Sequence, residues 1–166
     1  PSGSTLSRRM AFALRRALPF GRALGARAPP PRALSALAES LVDCSRVLVK
    51  PDPHGGAGAF AAVDIPAGGL VERGIVRRLT NCDGNENPFV FTWSDATPNT
   101  TWATGSGAST FYNTPFGEQA ANTRMTRDFG ADSFEIFATR DIAAGDELLH
   151  EYKSKAWRAC FSDLRS

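Results

Sequence analysis

The first 38 residues contain no aspartate or glutamate, although seven arginines fall among them (8, 9, 15, 16, 22, 27 and 32). No apolar run approaches the roughly 18 residues needed to span a bilayer, so no membrane-spanning helix is expected. The three cysteines, Cys44, Cys82 and Cys160, form no Cys-x-x-Cys and are too scattered for a zinc ribbon or a disulfide framework. Only two histidines occur, His54 and His150, with neither cysteine nor a spaced carboxylate beside them. Such isolated histidines are more often structural than ligating, and no metal is expected. Gly56-Ala57-Gly58 lacks the third glycine and long helix of a dinucleotide motif, and the Lys-Ser/Thr of a phosphate-binding loop.

The charge is divided along the chain. Residues 39–166 hold twelve basic and seventeen acidic side chains, a net of −5 hidden inside an overall +2. A negative folded part is a poor tracker of phosphates, so nucleic acid is not expected as a partner. It suits a basic partner, such as a lysine-bearing protein segment. Residues 1–40 read as a separate basic segment, flexible or helical. Met10 is a candidate start, and the stretch to Arg22 can lie as an amphipathic basic helix interrupted at Pro19. That is the composition of a mitochondrial or plastid transit peptide, with a disordered basic tail or a nuclear or nucleic-acid-binding arm as the alternative. Pro29-Pro30-Pro31 then breaks any helix, and 32–42 could form a short one.

From Val47 onward the chain reads as short strands between Gly, Pro and Asn turns, hence as a mostly β domain with little helix. Strands are expected at 47–49, 60–63, 70–76, 89–93, 109–113, 134–138 and 147–150, with turns at 66–69 and 102–107. Lys155–Leu164 is expected to close the domain as a helical tail (154–166), with Trp157, Phe161 and Leu164 on one face. One lettering occurs twice. Phe60-Ala61-x-x-Asp64-Ile65-x-Ala67-Gly68 returns as Phe137-Ala138-x-x-Asp141-Ile142-x-Ala144-Gly145, offset by 77 residues. Two copies are too few for a solenoid and indicate two similar corners in one domain.

Gly56-x-Gly58-x-Phe60-Ala61, then Phe111-Tyr112-Asn113, then Arg140-Asp141-Ile142-x-x-Gly145-x-Glu147-Leu148-x-x-x-Tyr152 together resemble the SET domain of protein lysine methyltransferases. The resemblance covers about residues 46–152, and a domain over 44–153. It implies a SET-type β-clip fold of short strands in small sheets, in which the middle segment threads beneath the C-terminal one as a pseudoknot. It implies S-adenosyl-L-methionine as cofactor, bound by Gly56, Ala57, Gly58, Phe60, Asn113, Thr114 and Tyr152. It places Tyr152, with Tyr112, at the meeting of methyl donor and lysine amine as catalytic candidates. Phe111 and Trp157 are expected, with both tyrosines, to line the lysine channel. The family's middle motif usually reads Asn-His-Ser-x-x-Pro-Asn. Here Thr114 follows Asn113 in place of the histidine, and Asn122 stands for the second asparagine after a longer loop. The zinc clusters flanking many histone-directed members are absent, which points to a non-histone lysine protein. The alternatives are a degenerate SET fold that only binds a peptide or partner, and a histone methyltransferase.

Overall fold

The computed structural model describes residues 39–52, 55–96 and 101–164; the basic arm, the start of the expected 32–42 helix and His54 lie outside them. Two antiparallel sheets form. β1 (Val47–Pro51) pairs with β2 (Ala57–Ala61). β3 (Leu70–Leu79), β4 (Phe91–Thr92), β5 (Trp102–Gly105), β6 (Thr123–Asp128) and β7 (Ser133–Ala138) make a five-stranded sheet in the order β4-β5-β3-β7-β6. β7 alternates as its sequence predicts: Phe134, Ile136 and Ala138 are buried while Glu135 faces solvent. Gly74 of β3 lies beneath the Phe134 ring, where an added Cβ would overlap it. Trp93, Ile65, Ile136, Ile142 and Leu148 fill the core, each at most 1–2% exposed.

The repeated lettering forms two corners that clasp each other about a local pseudo-twofold axis. Ile65 and Ile142 exchange both backbone hydrogen bonds, at 2.8 and 2.9 Å. The Gly68 N–H donates to Ala138 O at 2.9 Å, and the Gly145 N–H to Ala61 O at 2.8 Å. Both glycines hold positive φ, +77° and +91°, which a side chain would strain. Each aspartate of the repeat caps the opposite turn: Asp141 Oδ1 accepts from the Ala67 N–H and Asp64 Oδ1 from the Ala144 N–H, both at 2.8 Å. Charge-assisted caps of this kind contribute about 1 kcal/mol each. Asp64→Ala and Asp141→Ala are therefore expected to lower unfolding free energy by similar amounts, roughly 1 kcal/mol apiece, in urea titrations. A cost confined to one of them would break the equivalence of the corners. The first corner leads from β2 into β3. The second turns the chain after β7 so that residues 147–152 run back beside β2.

Four expectations shift. The 102–107 turn is largely strand β5, made with β3 and β4. Residues 109–113 and 147–150 are not full strands but meet through isolated bridges such as Asn113 with Leu149. β6 lies where no strand is expected. The tail is a 3₁₀ segment, Ala159–Leu164, kinked at Phe161 (φ −115°), and not one continuous helix from Lys155. Only Phe161 of the expected apolar face is buried; Trp157 is 50% exposed and Leu164 36%.

Candidate functional site

Three segments from distant parts of the sequence converge beside β2. Its small residues permit this, because Ala59 has no bulk to hold neighbours away. The Ala59 N–H donates to Phe111 O at 2.9 Å and its carbonyl accepts from the Leu148 N–H at 2.8 Å. The His150 N–H reaches Asn113 O at 2.8 Å. Asn122, 2% exposed, locks the junction with its amide. Its Nδ2 donates to Glu147 O at 2.7 Å and its Oδ1 accepts from the Leu149 N–H at 2.8 Å. The second asparagine of the motif is thus a backbone clamp on the C-terminal segment.

On one side of this junction lies a cleft of about 390 Å³, walled by Asp52, Asn113, Thr114, Glu147 and Tyr152 among others. Asn113 Nδ2 donates to Asp52 Oδ2 at 2.7 Å and Glu147 Oε1 at 3.0 Å. A Cβ on Gly58 would stand 3.1 Å from both Asn113 Nδ2 and Glu147 Oε1. Gly58 therefore makes room for this polar pair, and Gly56 supplies a turn at φ +89°. Phe60 is buried beneath the Lys50 ammonium, 4.0 Å from its ring centroid; Ala57 is exposed at the start of β2. Thr114 Oγ1 is buried with no hydrogen-bond partner among the described residues. Two carboxylates and an unpaired hydroxyl in one recess suit a ligand that carries positive charge and polar groups.

On the other side is a narrow cavity of about 60 Å³ with a mixed wall, in which Phe91, Met125, Ile136, Phe161 and the two tyrosines stand beside polar and charged groups such as Arg127 and Arg158. Among the described residues, Tyr152 alone lines both spaces. Its hydroxyl donates to Tyr112 O at 2.6 Å, and its ring stands 5.2 Å from that of Phe161. Burial pushes the Tyr152 hydroxyl up to about 12, against a lowering by Arg158. The proton thus stays on oxygen and is used on Tyr112, leaving the Tyr152 oxygen to act as an acceptor. Tyr112 differs. It is 3% exposed, and its hydroxyl turns into the core to meet Glu72 Oε2 at 2.8 Å. It reaches the junction through its carbonyl, not its hydroxyl.

His150 lines this narrow cavity too. The single Thr123 hydroxyl proton is given to Leu149 O at 2.8 Å, so the 3.3 Å contact with His150 Nδ1 needs its proton from the imidazole. This contact favours the Nδ1–H tautomer, which makes Nε2 the acceptor nitrogen of the ring. Burial, helped by the charges of Arg127 and Lys153, lowers its pKa to about 4, so it is neutral near pH 7.

Arg158 anchors the tail. It is 2% exposed and donates to the carbonyls of Gly84 (2.7 Å), Asn87 (2.6 Å) and Val90 (3.1 Å), with Trp102 and Phe161 rings within 5.0 Å of its guanidinium. This fastening brings Phe161 over Tyr152. Phe111, 38% exposed, and Trp157, tilted on Trp102 at 6.3 Å, stand outside the cavity wall. Sequence reasoning missed Glu72, Arg158 and Asn122's clamp; only Asn122 carried a signal, its place in the motif.

Short antiparallel strands in small sheets, with a C-terminal segment enclosed by the 111–113 and 122–123 stretches, define the SET-type β architecture. The SET domain family matches residues 56–153, more than half of the chain, and the chain belongs to that family. Among solved structures it is similar to a Plasmodium falciparum protein described as a candidate histone methyltransferase. That match has 16% identity and a TM-score of 0.52, and covers 64% of this chain and 92% of that one. It is also similar to a humanized mutant of the Chaetomium thermophilum Polycomb Repressive Complex 2 bound to an inhibitor. There the identity is 22% and the TM-score 0.52, over 65% of this chain and 15% of that chain. These likenesses carry the fold. No curated protein matches the sequence.

Proposed function

We propose that this chain is an S-adenosyl-L-methionine-dependent protein-lysine N-methyltransferase acting on a non-histone protein. The observation that carries the reading is Tyr152, the shared wall of the wide cleft beside Asn113 and of the narrow cavity. The wide cleft fits the cofactor: carboxylates of Asp52 and Glu147 face its cationic portion, Asn113 and the unpaired Thr114 hydroxyl offer polar partners, Leu149 and Leu164 offer apolar surface, and glycines 56 and 58 keep the loop close. When bound, the cofactor supplies a methyl group already activated by a sulfonium. The chain's part is alignment and dehydration. The narrow cavity favours neutral lysine over ammonium, because burial disfavours the charged form and so do the Arg127 and Arg158 guanidiniums on its wall. The Tyr152 oxygen accepts an amine N–H and turns the nitrogen lone pair towards the donor side, while Phe161 and the Arg158-fastened tail exclude water.

Gly58→Val is expected to weaken cofactor affinity at least about tenfold, a loss of about 1.4 kcal/mol, by displacing Asn113 and Glu147. Calorimetry reads this, and an unchanged affinity would remove the Gly58 loop from the cleft. The proposal as a whole is tested by incubating the full chain with methyl-labelled cofactor and lysine-bearing organellar and histone proteins. Label on lysine of a non-histone protein is expected. Cofactor binding without transfer to any lysine would favour a partner-binding module, the reading that Thr114 in the family's histidine position supports. We also propose that residues 1–40 address the chain to a mitochondrion or plastid; a reporter fused to them that collects in the nucleus would contradict it.

A further inference from the structure

Glu72 is 0% exposed, near the start of β3, in a mostly apolar core. An acid in such a place is costly unless its oxygens are used. Here they are. Oε1 accepts from the Ala108 N–H at 2.8 Å and Oε2 from the Tyr112 hydroxyl at 2.8 Å. Gly107 makes this approach possible, since a Cβ there would overlap Oε1. The segment so held carries three groups of the junction in a row. Phe111 O receives the Ala59 N–H, Tyr112 O the Tyr152 hydroxyl, and Asn113 O the His150 N–H. Two donors converge on one carboxyl, and the ionised form suits them best, because it is acceptor-only and its charge strengthens both bonds. A proton on it must sit on Oε2, because the Ala108 N–H cannot turn away and the Tyr112 hydroxyl can.

We infer that Glu72, in its ionised form, is a positioning residue for methyl transfer: it fixes Tyr112, and through the Tyr112 carbonyl it sets the hydroxyl of Tyr152. The inference rests on the methyltransferase reading for its chemistry and on the geometry alone for its anchor. Burial drives the Glu72 carboxyl up to about 7, opposed by its hydrogen bonds from Tyr112 and Ala108. The charged or titratable groups around the pair are Tyr112, Asp43, which raises Glu72 further, and Cys44, which with Glu72 raises Tyr112. Both forms of Glu72 are thus populated around neutral pH. Above it the anchor carries a charge-assisted bond; below it Tyr112 is held by a weaker neutral one.

The test compares wild type with Glu72→Gln, which keeps the shape and the Ala108 bond but never ionises. Below pH 6 the two are expected to turn over alike, because wild type is then largely neutral at this position. Above pH 8 Glu72→Gln is expected to be slower by about fivefold in kcat, with unchanged affinity for S-adenosylmethionine. Equal turnover above pH 8, or one constant ratio at every pH, overturns the inference. Hydrogen exchange across 108–113 reads the anchor without activity. Glu72→Ala is expected to lose protection at Ala108 and through Asn113, and Glu72→Gln to keep it at Ala108; full protection in Glu72→Ala overturns the anchor. A wild-type chain that transfers no methyl group fails the proposed reaction, and the exchange experiment still decides the anchor.

Discussion

Tyr152→Phe is expected to lower turnover at least about a hundredfold, a barrier increase of about 2.7 kcal/mol, while cofactor affinity stays within about twofold. The substitution keeps the ring that separates the two cavities and its packing on Phe161 at 5.2 Å. It removes one oxygen. In the folded chain that oxygen has a single proton, given to Tyr112 O at 2.6 Å, and lone pairs that phenylalanine cannot supply. Stability should change little, because one neutral hydrogen bond contributes about 1 kcal/mol. The separation of effects is diagnostic: under the proposed function, Asp52, Asn113 and Glu147 would hold the cofactor, whereas Tyr152 would act where amine and methyl meet. Single-turnover rates with saturating cofactor measure it. Turnover close to wild type would remove the Tyr152 hydroxyl from the reaction.

Glu72→Gln and His150→Gln are expected to change the pH dependence of stability in opposite directions, each by about 3 kcal/mol. Glu72 is raised from 4.5 to about 7. The folded state therefore binds more protons than the unfolded one between those values, and Glu72 makes stability fall as pH rises through that window. His150 is lowered from 6.5 to about 4. There the unfolded state binds more protons, and His150 makes stability rise from pH 4 to 6.5. The windows overlap, so in wild type the two contributions largely cancel. Glu72→Gln leaves the His150 contribution alone, and relative to wild type its stability should climb as pH goes from 4.5 to 8. His150→Gln leaves that of Glu72, and its stability relative to wild type should decline over the same range. Urea unfolding at several pH values, taken as variant minus wild type, removes the shared carboxylates. Parallel curves for both variants would mean that neither group is buried as described. Glu72→Gln thus joins greater stability above pH 8 to slower turnover, the trade expected where a buried charge serves a site.

Much of this site can be read before any coordinates, for identifiable reasons. Phe60–Gly68 and Phe137–Gly145 share lettering because the corners share hydrogen bonds, so the repeat in sequence is a repeat in structure. β7 declares itself by period-two burial. Asn113, Thr114 and Tyr152 fall together because the motif spacing encodes which backbone groups meet. β6 was hidden by its composition. Thr123-Arg124-Met125-Thr126-Arg127-Asp128 offers one apolar side chain, and its arginines set their guanidiniums over the Phe137 and Trp93 rings, contacts that a hydrophobic pattern does not reveal. The tail misled for the same reason. Trp157, Phe161 and Leu164 suggested an apolar helix face, yet the group that fastens the segment is Arg158, whose partners are carbonyls 68 to 74 residues away. Glu72 gives no local sign of burial, because both donors that make it tolerable come from residues 36 and 40 positions on. Phe111 and Trp157 are aromatic and near the motif, but their side chains fall outside the cavity wall; Phe91 and Phe161 take those places.

Two ligands are expected to meet at Tyr152 from opposite sides. A crystal structure of the full chain with S-adenosylhomocysteine and a lysine peptide that it methylates measures this most directly. The expected result is the nucleoside product against Asp52, Asn113 and Glu147, the lysine side chain between Phe91, Met125 and Phe161, and the Tyr152 oxygen within hydrogen-bonding distance of the amine. A product bound away from Asn113, or a lysine that enters on the same side as the product, would contradict it.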